Sequence, residues 1–173
     1  MDRENSPKSR QATASSKNVR PPFRLDSVDH VLLEQLSIDA RTPNNALAAL
    51  AGIAPSTCLG RVRTLIESGV IRGFHADIDP AALGKDLQAM IAVRLQANAR
   101  SKLAELGEDF AGLDAVLNVY FVAGVDDYLI HVATAGSGEL RDFVVENLSA
   151  HPAVAATETI LIFEHVHPRG GSL

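Results

Sequence analysis

The chain has 173 residues and 46% hydrophobic content, enough for one or two domains with real cores. No apolar run approaches the roughly 18 residues of a membrane span, the polar start lacks the apolar stretch of a signal peptide, and a single cysteine, Cys58, excludes an intrachain disulfide and fits a reducing cytoplasm. The net charge of −5 is at first sight wrong for a nucleic-acid binder, yet it is unevenly spread: residues 1–24 hold six bases against two acids, and residues 81–173 hold twelve acids against six bases.

Residues 1–24 are rich in Ser, Lys, Arg and Asn, with Pro21-Pro22 near their end, the composition of a disordered tail. It reads either as a solvated leader or as a basic arm that tracks DNA. The first domain is expected over 25–78. Asp26 precedes an apolar rhythm of Val28, Val31, Leu32 and Leu36 and reads as the N-cap of a first helix. A second helix fits Asn44 to Ala51, with Thr42 as cap, Pro43 in the first turn, Leu47 and Leu50 pointing inward and Gly52 as the stop. A third runs from Pro55 to Ser68 and ends at Gly69. Two helices separated by a few residues around one glycine match a helix-turn-helix.

The third helix has two unlike faces. Cys58, Leu59, Val62, Leu65 and Ile66 fall on one side at about 100° per residue. Thr57, Gly60, Arg61 and Thr64 fall on another, flanked by Ser56 and Arg63. Short hydroxyl side chains let a helix approach base edges, and arginines reach guanine or phosphate, so this face is the expected DNA-reading surface; an ordinary solvated helix face is the alternative. Cys58 lies on the apolar face, where a small buried thiol is expected rather than a nucleophile. After the helix, Val70 to Ile78 alternates well enough for a strand or two. That completes a winged helix-turn-helix, with Arg72 either a phosphate contact or a solvated strand arginine.

Asp79-Pro80 and Gly84 mark a linker over 79–86. Residues 87–167 then read as strand Leu87–Leu95, helix Ser101–Phe110, strand Val116–Val122, a turn at Gly124-Val125-Asp126-Asp127, strand Tyr128–Thr134, helix Glu139–Leu148 and strand Thr157–Val166. Residues 168–173 form a short tail. The order βαββαβ is the split, ferredoxin-like pattern, and the whole chain is therefore α+β. Both helices cover one face of a four-stranded antiparallel sheet. The other face is apolar and points to a homodimer through facing sheets.

No catalytic constellation is placed by any motif, so no enzyme activity is expected. His165 and His167, two apart on a strand, share a face, but no third metal ligand is indicated; a solvated pair is expected. Asp126 and Asp127 sit in a turn that favours aspartate for backbone reasons. The same turn has a second reading. Gly124 exposes amide donors that suit a carboxylate, and an adjacent aspartate suits an ammonium group, as in a zwitterionic amino acid.

Leu25-Asp26-x-x-Asp29, Asp39-Ala40-Arg41, Leu47-Ala48, Gly52-Ile53, Pro55-Ser56-Thr57, Arg61-Val62 and Gly69-Val70-Ile71-x-Gly73-Phe74, followed by Val119 to Gly124 and Asp127-Tyr128, together resemble the Lrp/AsnC, or feast/famine, family of transcriptional regulators. The match covers Leu25 to Val166. The resemblance implies a DNA-binding winged helix-turn-helix followed by a RAM domain that dimerises, assembles further into octamers, and binds an amino acid that changes assembly or DNA affinity. It implies a cytoplasmic, nucleoid-associated protein whose partners are double-stranded DNA, further copies of itself and an amino acid. The DNA contacts expected from the face of the third helix and the segment after it are Ser56, Thr57, Gly60, Arg61, Arg63, Thr64 and Arg72; by position, the resemblance places the effector site at Gly124 and Asp127, with Val122, Asp126, Thr157 and Thr159 beside it. Three residues depart from the family pattern: Ala54 at the cap of the reading helix, Gly60 inside it, and Asp126 where an aromatic is common. A metabolite-binding module with incidental DNA affinity is the alternative reading.

Overall fold

The computed structural model describes residues 24–164 and Val166, and divides into two compact units between Phe74 and His75. The described residues of the first unit form three helices, α1 (Ser27–Ile38), α2 (Asn44–Leu50) and α3 (Pro55–Glu67). Asp26 caps α1 as expected and does so reciprocally. The Asp29 N–H donates to Asp26 Oδ1 at 2.9 Å, and the Asp26 N–H donates to Asp29 Oδ2 at 3.1 Å, which satisfies two of the orphan donors at the helix start.

Helix α2 begins one residue later than the Thr42 cap requires. Its N-cap is Pro43, and the Thr42 hydroxyl donates instead to the Asp39 carbonyl at 2.8 Å. The helix closes through a left-handed Gly52 at φ 66°, with the Ile53 N–H reaching back to the Ala48 carbonyl at 3.0 Å and the Gly52 N–H to Ala49. That is a Schellman closure, which turns Ile53 into the core. The Asn44 side chain donates to the Pro55 carbonyl at 2.9 Å, tying the start of α2 to the start of α3.

Leu32, Leu47, Ala48 and Cys58 form the centre of the first core, with Val28, Leu36, Ile53 and Val62 packed around it; Leu65 is also fully buried. Burial of each leucine contributes about 2 kcal/mol of transfer free energy. Leu50, expected inside, is exposed, as are Leu59 and Ile66 of α3. The expected strand over 70–78 is absent. Among the described residues up to Phe74 no other strand is present to pair with it, so the alternation of Val70, Arg72 and Phe74 has no ladder to join, and Val70, Phe74 and Ile78 remain exposed.

The second unit is a four-stranded antiparallel sheet of order β2-β3-β1-β4, with β1 Leu87–Leu95, β2 Val116–Phe121, β3 Tyr128–Thr134 and β4 Val154–Ile162. A 3-10 turn over Ala97–Lys102 leads into α4 (Leu103–Ala111), and α5 (Ser137–Phe143) continues through wider π-type turns over Val144–Ser149. Those turns carry Leu148 back onto the sheet, where it is fully buried beside Leu140 and Phe143. Both helices cover the face formed by Ala89, Ile91, Val93, Ile130 and Val132.

Strand β4 starts three residues earlier than the sequence suggests and ends at Ile162. Its partner β1 sets the limit: Gln88 pairs with Ile162, and β1 offers nothing beyond Leu87. His165 and His167 lie outside the described residues. By alternation, the sheet face opposite the helices presents Met90, Ala92, Leu129, Tyr120 and Ile160, with Gln88 and His131 joined side chain to side chain at 3.0 Å. No helix among the described residues is long and apolar enough to cross a membrane.

Candidate nucleic-acid interface

Only one side of α3 is covered. Cys58 and Leu65 are fully buried, and Val62 is half-buried. At about 100° per residue, the side opposite Cys58 and Leu65 carries Ser56, Gly60, Arg63 and Glu67, with Leu59 on its edge beside Ser56 and Arg63, and all five are exposed. Thr57 and Thr64 are also exposed, on one flank, and the Thr64 hydroxyl donates to the Gly60 carbonyl at 3.0 Å. The outward ridge is thus rotated from the face expected from sequence. Leu59 joins its edge and Arg61 leaves it.

Arg61, on the flank of α3, is paired within the unit. Its Nη1 lies 2.7 Å from Asp26 Oδ2 and 2.8 Å from Asp29 Oδ1. The Asp29 side chain is only 6% exposed, and a nearly buried carboxylate needs a cation beside it. Arg61 therefore ties α3 to the start of α1 through Nη1. The Asp29 backbone N–H, and then Arg61, hold the Asp26 carboxyl below its ordinary value; Asp26, with Asp29, raises Arg61 further above its own. The half of this arrangement visible in sequence is the Asp26-x-x-Asp29 cap. Its partner is more than thirty positions away.

Arg63 is 79% exposed and pairs with Glu67 at 2.8 Å across one helical turn. Such a pair contributes little and opens readily. Arg72 is exposed in the irregular segment after α3. The first turn of α3 has no side-chain cap, because Ala54 stands at the N-cap and Pro55 follows. Backbone N–H groups at Ser56 and Thr57 therefore face outward at the positive end of the helix dipole, a geometry suited to phosphate. Gly60 adopts ordinary helical φ, and a Cβ placed there would meet nothing within 4 Å.

The second candidate is the turn between β2 and β3. The Val122 N–H donates to the Asp127 carbonyl, and the Asp127 N–H to the Val93 carbonyl. The Asp127 carboxylate is held within the fold: Oδ2 accepts the buried Leu95 N–H at 2.8 Å, where pairing of β1 with β4 slips, and Oδ1 lies 3.2 Å from Arg100 Nε. Asp126 is partly exposed and lies 3.6 Å from Arg94 Nη2. Sequence reasoning missed both arginines, which the fold brings in from β1 and from the 3-10 turn. Gly124 is exposed, with open space around it and no left-handed φ. Thr157 and Thr159 pair with Val93 and Ile91 on the helix side of β4, and Thr157 Oγ1 lies 3.4 Å from Ser149 Oγ.

Beside the same hairpin, a hollow of about 600 Å³ is lined by Leu103, Gly107, Val116, Val119, Phe121 and Tyr128, with Glu108 and Asn118 at its polar edge. Burial pushes the Tyr128 hydroxyl above its ordinary pKa, and that hydroxyl donates to the Leu103 carbonyl.

Residues 25–66 match the AsnC-type helix-turn-helix domain, and residues 88–171 match the Lrp/AsnC ligand binding domain. The chain is 56% identical over 159 residues to the HTH-type transcriptional regulator AldR of Mycobacterium tuberculosis, covering 92% of this chain and 88% of that protein. It is 35% identical over 142 residues to the leucine-responsive regulatory protein of Rhizobium meliloti, covering 82% and 91%. The crystal structure of MtbAldR superposes with a TM-score of 0.76 at 51% identity, over 85% of this chain and 97% of that one. A transcriptional regulator from Neisseria meningitidis in complex with L-Met shares the fold, with a TM-score of 0.76 at 24% identity over 87% and 97%.

Proposed function

The chain belongs to the Lrp/AsnC family of DNA-binding transcriptional regulators, and within that family we propose that α3 enters the major groove through its exposed ridge while the second unit binds an amino acid or related metabolite that modulates assembly or DNA affinity. The observation that carries the DNA half is the ridge itself: Ser56, Gly60 and Arg63 point away from the core beside an uncapped helix start. On this reading Ser56, Thr57 and Thr64 contact sugar, phosphate or base edges, and Arg63 exchanges Glu67 for a phosphate or guanine. Arg72 contacts the flanking backbone. Arg61 acts through position, by fixing the angle of α3.

For the effector, Arg94 and Arg100 offer cations for a carboxylate, Asp126 an acid for an ammonium, and Val122 and Gly124 the backbone between them. Thr157 and Thr159 remain outer contacts. The hollow at Phe121 and Tyr128 suits an apolar amino-acid side chain, since its lining is largely apolar. The uncovered sheet face, with Met90, Leu129 and Ile160, favours a homodimer and assemblies built from it. A DNA-associated regulator of this kind works in the cytoplasm, on the nucleoid.

Mobility shift of duplex DNA across a salt series tests the first half. Arg63→Ala should weaken binding and reduce the salt slope by about one phosphate's worth; an unchanged slope removes Arg63 from the interface. Light-scattering mass with and without each common amino acid tests the second half. Clear amino-acid binding with no salt-sensitive DNA binding would favour a metabolite-binding module instead.

A further inference from the structure

We propose that Leu59 is a specificity-determining residue that reads the 5-methyl group of a thymine in the major groove, a proposal that rests on α3 being the reading helix. Three observations converge on it. Leu59 is 63% exposed although the rhythm of the helix counts it among the apolar set. It stands about 100–120° around the helix from the buried Cys58 and Leu65, on the edge of the outward face between Ser56 and Arg63 and next to Gly60, in the N-terminal half of α3. That is the half of a recognition helix that meets base edges.

The neighbours make the contact specific. Gly60 adds no side chain and leaves open space, so the backbone can come close enough for a branched four-carbon side chain to reach the groove floor. Ser56 and Arg63 bracket Leu59 with groups that hold register on phosphate or base edges. Within the groove, the thymine methyl is the only apolar feature a base pair presents, so an aliphatic side chain placed there discriminates thymine from the other bases by contact rather than by hydrogen bonding. Burial of one methyl-sized group against it corresponds to about fourfold in affinity.

The test uses the full chain and a duplex enriched on it from a randomised library. Thymines are replaced one at a time by uracil, which differs only in lacking the methyl, and affinity is measured by fluorescence anisotropy. The expected result is one thymine per half-site whose replacement costs the wild type about fourfold and costs Leu59→Ala nothing. Leu59→Met, which keeps an apolar tip, should retain the sensitivity. An exposed helical leucine can be exchanged for alanine or methionine without loss of helix propensity, so the variants test contact rather than folding. If no thymine is sensitive in the wild type, or the sensitivity persists in Leu59→Ala, the assignment of Leu59 falls while DNA binding stands. If no duplex is enriched at all, the DNA-reading role of α3 falls with it.

Discussion

Gly60 sets helix stability against DNA affinity, and Gly60→Ala separates the two. The residue lies mid-helix in α3 with no positive φ, and an added Cβ would meet nothing within 4 Å. Alanine removes the entropic cost of an interior helical glycine, so the first unit should gain about 1 kcal/mol. Cys58 supplies a probe of that unit alone. It is the only cysteine, it is fully buried in the first core, and burial raises its thiol pKa, so labelling requires the unit to open. A gain of about 1 kcal/mol lowers the open population, and with it the labelling rate, about fivefold. The same methyl group sits on the outward ridge beside Leu59 and Ser56. DNA affinity should therefore fall by about tenfold, the scale of one mismatched base pair. Labelling that is unchanged or faster would refute the claim that the site accepts a side chain freely. Undiminished DNA binding would refute the close approach of the α3 backbone to the groove.

Two further outcomes follow from particular contacts. Asp127→Ala strands the buried Leu95 N–H and leaves Arg100 without its acid; it should destabilise the second unit by about 1–3 kcal/mol. Both tyrosines, Tyr120 and Tyr128, lie in that unit, so urea unfolding followed by tyrosine fluorescence reports it. Asp127→Asn, which keeps an acceptor, should be milder, and a neutral alanine variant would deny the carboxylate its structural role. In the first unit, the Asp26 carboxyl is held below its ordinary value near 3.8 by the Asp29 N–H and by Arg61. Its contribution is therefore fully present above that value and lost as pH falls through the lower, folded-state value. Urea unfolding followed by circular dichroism from pH 6 to pH 3 should show the wild type losing stability towards the acid end more steeply than Asp26→Asn, and parallel curves would contradict the linkage.

The βαββαβ order, the strand limits of β1 and β3 and the buried set of α5 were readable because each depends on local periodicity and on turns that lie beside it in the chain. The misread positions depend on partners far along the chain. Strand β4 stops where β1 stops offering pairs, at Gln88 and Ile162, and the segment after α3 has alternation but, among the described residues, no strand to receive it. Helix α3 shows the same limit most sharply. Periodicity sorts Leu59 and Ile66 with Cys58 and Leu65, but in a three-helix unit α3 is covered from one side only, and the buried sector is narrow enough to leave both at its margin. On the other margin Arg61 turns inward, because Asp29 is nearly buried and must be neutralised. Polarity therefore did not predict which residues of α3 face outward: an arginine went to the scaffold and a leucine to the surface. A regulator gains from that exchange. On the proposed reading, the arginine fixes the helix at one angle and the leucine, on the opposite margin, presents an apolar group to the groove.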